Sequence, residues 1–269
     1  MTRRLRLGWV ELMVTAARFL VLTFGISWGA WALALAAGGN TADPLVFVLW
    51  VVGASGPTLA ALVMRLFGHR SKRSARLAAA GMWVPGALLA GLLPVIAALL
   101  VTGAAADPAT VVARAGGLLP VLVLALFAGP LSEEFGWRGV LQPALRRSLP
   151  PVWTAAVVGV AWALWHAPLF LIAGSYQASM GLLSVGAAVF FANLVASAAL
   201  YWFVSERLHG GVPAAVLLHL TANAAVNLLV VRSDHTAAMQ MGVVVVLAAL
   251  ALGYRSATGT SAGSRISAR

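Results

Sequence analysis

The sequence predicts an all-α protein, a polytopic membrane bundle of about eight transmembrane helices with both termini in the cytoplasm. Three observations lead there. The chain of 269 residues is 61% apolar and 9% charged, whereas soluble domains run at roughly 45–50% apolar and about 25% charged. Mean hydropathy is +0.94. Eight apolar stretches separate its charged and turn-forming clusters, and a helix needs about 20 such residues to cross a ~30 Å hydrocarbon layer. The cations also alternate in their distribution along the chain. A water-soluble globule is excluded, and no polar stretch is long enough for a soluble domain.

The spans are read at 17 to 37, 45 to 64, 80 to 103, 115 to 134, 152 to 173, 181 to 204, 211 to 231 and 237 to 253, with boundaries uncertain by about 2–4 residues. Arg3, Arg4, Arg6 and Arg18 precede the first. Arg65, Arg70, Lys72, Arg73 and Arg76 fill the second connection, Arg138, Arg146 and Arg147 the fourth, and Arg207 the sixth. Arg255, Arg265 and Arg269 follow the last span, so 16 of the 18 cations fall on one side. Arg114 and Arg232 fall on the other, with Asp43, Asp107 and Asp234. Cytoplasmic connections carry the excess of Lys and Arg, which puts both termini inside, as an even number of crossings requires. The net charge of +11 thus records topology and contact with anionic lipid, not nucleic acid.

The first apolar run exceeds the 7–15 residues of a signal-peptide core and is read as a retained anchor. Residues 1 to 16 form a basic interfacial segment, 17 to 253 one eight-helix domain, and 254 to 269 a small, polar, disordered tail. There is no internal repeat. With no cysteine, the chain has no disulfide framework, thiolate metal ligand, thiol nucleophile or lipid-bearing thiol of its own.

Ionisable and amide side chains inside spans carry the chemical signal, because a charge at a helix centre costs about 2.5–3.5 kcal/mol unless it is paired or faces a cavity. Glu133 and Glu134 sit at the end of span four. Successive helical residues point about 100° apart, so the two carboxylates diverge, and Glu134 can pair with Arg138 four residues on. Glu133 is left to face a cavity. His166 lies inside span five, two residues before the helix-disturbing Pro168. His219, Asn223 and Asn227 recur every four residues in span seven and draw one polar stripe. Asn193 in span six is a weaker addition. Taken singly, each is explained as an interfacial cluster or interhelical hydrogen bonding. Together they supply a carboxylate, two imidazoles and a carboxamide, which suits water activation with stabilisation of a developing oxyanion. Glu133, His166 and His219 could equally bind a zinc ion with a water. Both routes are hydrolysis by activated water.

Rival motifs are weak. GASG at 53 to 56 offers Ser55 as a rhomboid-like nucleophile, but it stands just before Pro57 among small residues that suit close helix packing. There is no H-E-x-x-H, no aspartate inside a span and no Walker A motif.

The run E-E-x-x-x-R at Glu133, Glu134 and Arg138, continuing as RGVL, is followed by W-x-x-x-H at Trp162 to His166 and H-x-x-x-N at His219 to Asn223. In this order the three motifs resemble the Abi or CPBP family of intramembrane proteases, which includes the type II CAAX prenyl endopeptidases. The resemblance covers about 115 to 231, the expected protease core. It implies an eight-helix fold with a cytoplasm-facing cavity, Glu133 and His166 as activators of water, and His219 and Asn223 as oxyanion donors. Glu134 and Arg138 would support the site. It leaves the cofactor between a divalent metal such as zinc and a glutamate mechanism without one. Trp162 stands where the family usually has Phe.

The expected function is an intramembrane endopeptidase of a bacterial cytoplasmic membrane, acting on a membrane-associated peptide or lipidated protein, with the bilayer as its partner. The alternative is a noncatalytic bacteriocin-immunity factor or a transporter that uses the same polar residues as an ion path.

Overall fold

The computed structural model describes residues 3–68 and 81–254, with the side chains of 3–12 and 128 excepted. The expected cations Arg70, Lys72, Arg73 and Arg76 lie outside the described residues, as does the tail from 255 onward. The described residues form helices and no strand.

In chain order the helices are α1 Arg3–Ala36, α2 Pro44–Ala54, α3 Gly56–Leu66, α4 Trp83–Thr102, α5 Pro108–Arg114, α6 Leu118–Arg146, α7 Pro151–Leu171, α8 Tyr176–Met180, α9 Val185–Arg207, α10 Gly211–Leu229 and α11 Asp234–Gly253. Among the described residues seven are long and apolar enough to cross a membrane, and α2 with α3 reaches that length only as a pair bent by 58°. The bundle is therefore the polytopic helical one expected. The bend falls at the GASG run. Ser55 Oγ donates to Val51 O at 2.9 Å within its own helix, and a Cβ at Gly53 or Gly56 would overlap Trp31 or Ser27. Those small residues serve close packing of α1 on the bent pair.

Helix α6 departs most from expectation. It does not end near Glu134 but runs on to Arg146, through π-helical turns at Phe127–Leu131 and Trp137–Leu141. Each has a proline in or just after it, Pro130 and Pro143, and proline cannot complete the regular α-helical bonding. Arg138 reads as a terminus in sequence, yet it is buried beside Glu134. The two glutamates therefore lie in mid-helix.

Two ends of the bundle are well defined. At one, backbone bonds join Thr41 to Ala173 and Val231 to Ala104. Asp43 and Asp107 cap α2 and α5 there, each ahead of a proline at the first helical position. The Thr110 hydroxyl and the Ala109 N–H hold the Asp107 carboxyl below its ordinary range. At the other end Arg146 Nε donates to Glu206 Oε1 at 2.6 Å, and Arg207 stands over the Tyr254 ring. This is the arginine-rich end. Between them Trp31, Trp137 and Trp165 are almost fully buried. Trp165 meets Trp31 and Trp137 at centroid distances of 5.0 and 6.1 Å and donates its indole N–H to Ser27 Oγ at 2.7 Å. Buried indoles of this size dominate core packing when their N–H finds a partner. They fix α1 and α6 against α7.

Candidate active site

The glutamates owe their setting to the break just before them. Gly129 has φ +129°, a conformation open mainly to glycine, and Pro130 follows. Its N–H donates to Ser132 Oγ at 3.0 Å, and that hydroxyl donates back to Gly129 O at 3.1 Å. A Cβ at Gly129 would lie 2.8 Å from His219 Nε2 and 3.2 Å from Asn223 Nδ2. The missing side chain thus lets α6 pass directly against the stripe on α10.

Glu134 is fully buried. Arg138 Nη1 donates to Glu134 Oε1 at 3.2 Å and lies 3.1 Å from Oε2, the expected pairing over one helical turn. Glu134 Oε1 also accepts from His219 Nδ1 at 2.7 Å. It therefore does more than pair with its own helix, because it orients a histidine of α10. The flat guanidinium of Arg138 lies 4.5 Å over the Trp162 ring and 3.9 Å over that of Tyr201. Such aromatic faces favour a cation away from water.

Glu133 does not stand wholly free, for Trp162 Nε1 donates to Glu133 Oε2 at 2.5 Å. The other oxygen remains for a ligand. Trp162 is also in edge contact with His219, at a centroid distance of 5.8 Å, and tilted against His166 at 6.1 Å. One indole thus touches the groups of α6, α7 and α10. His166 Nδ1 bonds to Trp162 O at 2.8 Å. A carbonyl can only accept, so the proton is on Nδ1 and, in the neutral ring, the lone pair is on Nε2. Phe190 and Trp165 close edge-on against that ring at 5.3 and 4.7 Å.

Glu133, His166, His219 and Asn223 all line one cavity of about 730 Å³. Asn193 and Asn227 line it as well, and Asn193 Oδ1 is buried without a hydrogen-bond partner. The cavity does not extend toward the arginine-rich end. Its other lining residues include Pro120, Leu124, Gln177 and Arg232, which belong to the opposite end. The cavity thus extends toward the end at which Arg232 stands over the Tyr176 ring.

Residues 115–225 match the model of a family described as Type II CAAX prenyl endopeptidase Rce1-like. Across this region the chain is similar to that family. A CAAX prenyl protease 2 from Methanococcus maripaludis is 28% identical over 137 residues, 51% of this chain and 50% of that relative. The chain thus spans about half the length of the curated relative it matches.

Within this region, Trp162 is the residue whose role the sequence understates. A Phe there could fill the same space but has no N–H to donate to Glu133. Gly129 and Tyr201 were missed altogether. The Gly-Pro pair just ahead of the glutamates was the available signal for the first, and nothing in the sequence marked the second. The candidate zinc set fits less well. Among the described residues no three of His, Asp and Glu come together closely enough to hold a metal ion. Glu134 and the Trp162 carbonyl engage Nδ1 of His219 and of His166, so Nε2 is the nitrogen each ring would offer to a metal.

Proposed function

We propose that this chain is an intramembrane endopeptidase that hydrolyses a peptide bond of a membrane-associated substrate, a lipidated protein or a peptide precursor. The observation that carries the reading is the shared cavity, on which Glu133, His166, His219 and Asn223 converge from three helices. The family match supports the reaction class.

In this mechanism a water sits between the free oxygen of Glu133 and Nε2 of His166. Glu133 takes its proton as the water oxygen attacks the scissile carbonyl, a role that typically contributes 10²–10⁴-fold. The carbonyl oxygen becomes an oxyanion and accepts from Asn223 Nδ2 and from His219 Nε2–H. His219 donates there in its protonated form. The two carboxylates and Arg138 leave one negative charge, which that proton balances. Collapse of the intermediate breaks the C–N bond, and the proton held by Glu133 passes to the departing amine. Glu134 and Arg138 act by holding His219 and α6 in place. No step runs through a metal.

Because a transmembrane helix has its backbone carbonyls engaged, the substrate must present an unwound or frayed segment to the cavity. The test is a panel of quenched membrane-anchored peptides, prenylated and plain, given to the purified protein in liposomes with Glu133→Ala as the blank. Cleavage by the wild type alone supports the reading. Cleavage of no member, or equal cleavage by the blank, counts against it.

A further inference from the structure

We infer that α9 carries the substrate-binding edge of the cavity, where Asn193 and Ser197 hold an extended peptide by its main chain beside the reacting groups. This deepens the protease reading and rests on it.

Three observations carry the inference. The first is the face that α9 turns to the cavity. Asn193, Ser197 and Tyr201 all line it, and they follow one another in steps of four residues, which places them on one side of a helix. The helix runs from Val185 to Arg207, so Asn193 and Ser197 lie well inside the span. A second polar stripe thus lines the cavity, on a different helix from that of His219 and Asn223.

The second is what this stripe leaves unsatisfied. Asn193 Oδ1 is buried without a hydrogen-bond partner. Ser205, two turns beyond Ser197, donates its hydroxyl back to Tyr201 O at 2.6 Å, as serines within helices commonly do. The Ser197 hydroxyl has no such bond among the described residues. A polar group in a span costs stability unless it is paired. Here the bundle keeps a carboxamide and a hydroxyl on its cavity wall and supplies a partner for neither.

The third is their position. Phe190, one turn before Asn193, meets the His166 ring edge-on at 5.3 Å, and Tyr201, one turn after Ser197, meets the His219 ring edge-on at 5.8 Å. Asn193 and Ser197 lie on α9 between these two contacts, and so alongside the two imidazoles.

The spacing fits an extended chain. Four helical residues advance about 6 Å, and alternate residues of an extended peptide are about 6.6 Å apart. Each such residue turns its N–H and C=O to the same side. A carboxamide carries both donors and an acceptor, so Asn193 can bind both groups of one residue while the Ser197 hydroxyl binds the next but one. The terminal torsion of asparagine is broad, which lets the carboxamide turn to meet them. Bonds of this kind demand an extended main chain and no particular side chain.

Binding is read on full-length Glu133→Gln protein in detergent, so that no turnover is needed. The probes are fluorescent copies of the membrane-anchored peptides of the cleavage panel. In the tightest binder each amide in turn is replaced by an ester, which removes one N–H and weakens one carbonyl. Asn193→Leu should weaken binding about three- to tenfold, with the melting temperature held or raised, because an apolar side chain of similar size strands no partner. One ester position should cost a similar factor with Asn193 present and nothing in Asn193→Leu. Ser197→Ala, a change that a helix accepts readily, should behave in the same way toward an ester two residues along the peptide. A fall in melting temperature with binding unchanged would show that Asn193 joins helices, and would overturn the inference. So would ester losses that are the same with and without Asn193 and Ser197, or a panel of which no member binds. Binding that depends on Asn193 while no peptide is cleaved would fault the protease reading alone, and cleavage with binding indifferent to both substitutions would fault this inference alone.

Discussion

Trp162 donates its indole N–H to the Glu133 carboxylate across 2.5 Å, from α7 to α6. The same ring takes the Arg138 cation on its face and the His219 imidazole on its edge. One side chain therefore orients the proposed base and packs against the groups that orient the proposed oxyanion donor.

Trp162→Phe keeps an aromatic face and removes the donor. Hydrogen bonds to charged groups contribute about 1.5–3 kcal/mol, and 1.4 kcal/mol is tenfold in rate, so kcat should fall about tenfold or more with KM little changed. Steady-state kinetics on a cleaved peptide checks this. An unaltered kcat would mean that the contact does not set the geometry of Glu133.

The passage of α6 against α10 depends on the lack of a side chain at Gly129. Gly129→Ala should abolish cleavage, since its methyl would stand 2.8 Å from His219 Nε2 at a φ of +129°. Gly117→Ala supplies the control. Its φ is +123°, but the nearest atom to its methyl is 4.0 Å away. It should carry only backbone strain, of order 1–3 kcal/mol, and keep its activity. Equal activity losses in the two variants would assign the effect to strain and not to contact with the site.

Glu134 and Arg138 are both buried, and removing one partner of a buried pair typically costs about 3–5 kcal/mol because the other charge is stranded. Arg138→Ala should therefore lower the melting temperature and expression far more than Glu133→Gln does. Melting of the purified variants in detergent decides it. An Arg138→Ala protein as stable as the wild type would refute the structural role.

The sequence made much of this legible. Helical spacing alone pairs Glu134 with Arg138, and four-residue steps bring His219 and Asn223 to one face. Among the described residues Arg146 and Arg207 lie at one end of the bundle and Arg232 at the other. Other features were not legible because they depend on contacts between distant segments. Arg138 reads as a helix end until its charge is seen satisfied within the bundle by Glu134 and two rings. The bend after Ala54 requires Trp31 and Ser27 of α1 to press against the glycines. Trp162 looks like a conservative aromatic until its N–H is found on Glu133, 29 residues away in sequence. The end toward which the cavity extends is likewise a property of packing.

The arrangement also predicts indifference to metal removal. With no three ligating side chains gathered among the described residues, incubation with a strong chelator should leave the cleavage rate within about twofold. Loss of activity on chelation that zinc restores would show that a metal takes part.

The most direct test of the central claim is the turnover of Glu133→Gln beside that of the wild type, with melting temperatures measured on the same preparations. The substitution keeps the shape and leaves the Trp162 N–H an acceptor, but it removes the base. The account predicts a fall in kcat of about 10²–10⁴-fold with the melting temperature held. A Glu133→Gln protein that cleaves at the wild-type rate would contradict the assignment of Glu133 as the group that activates water.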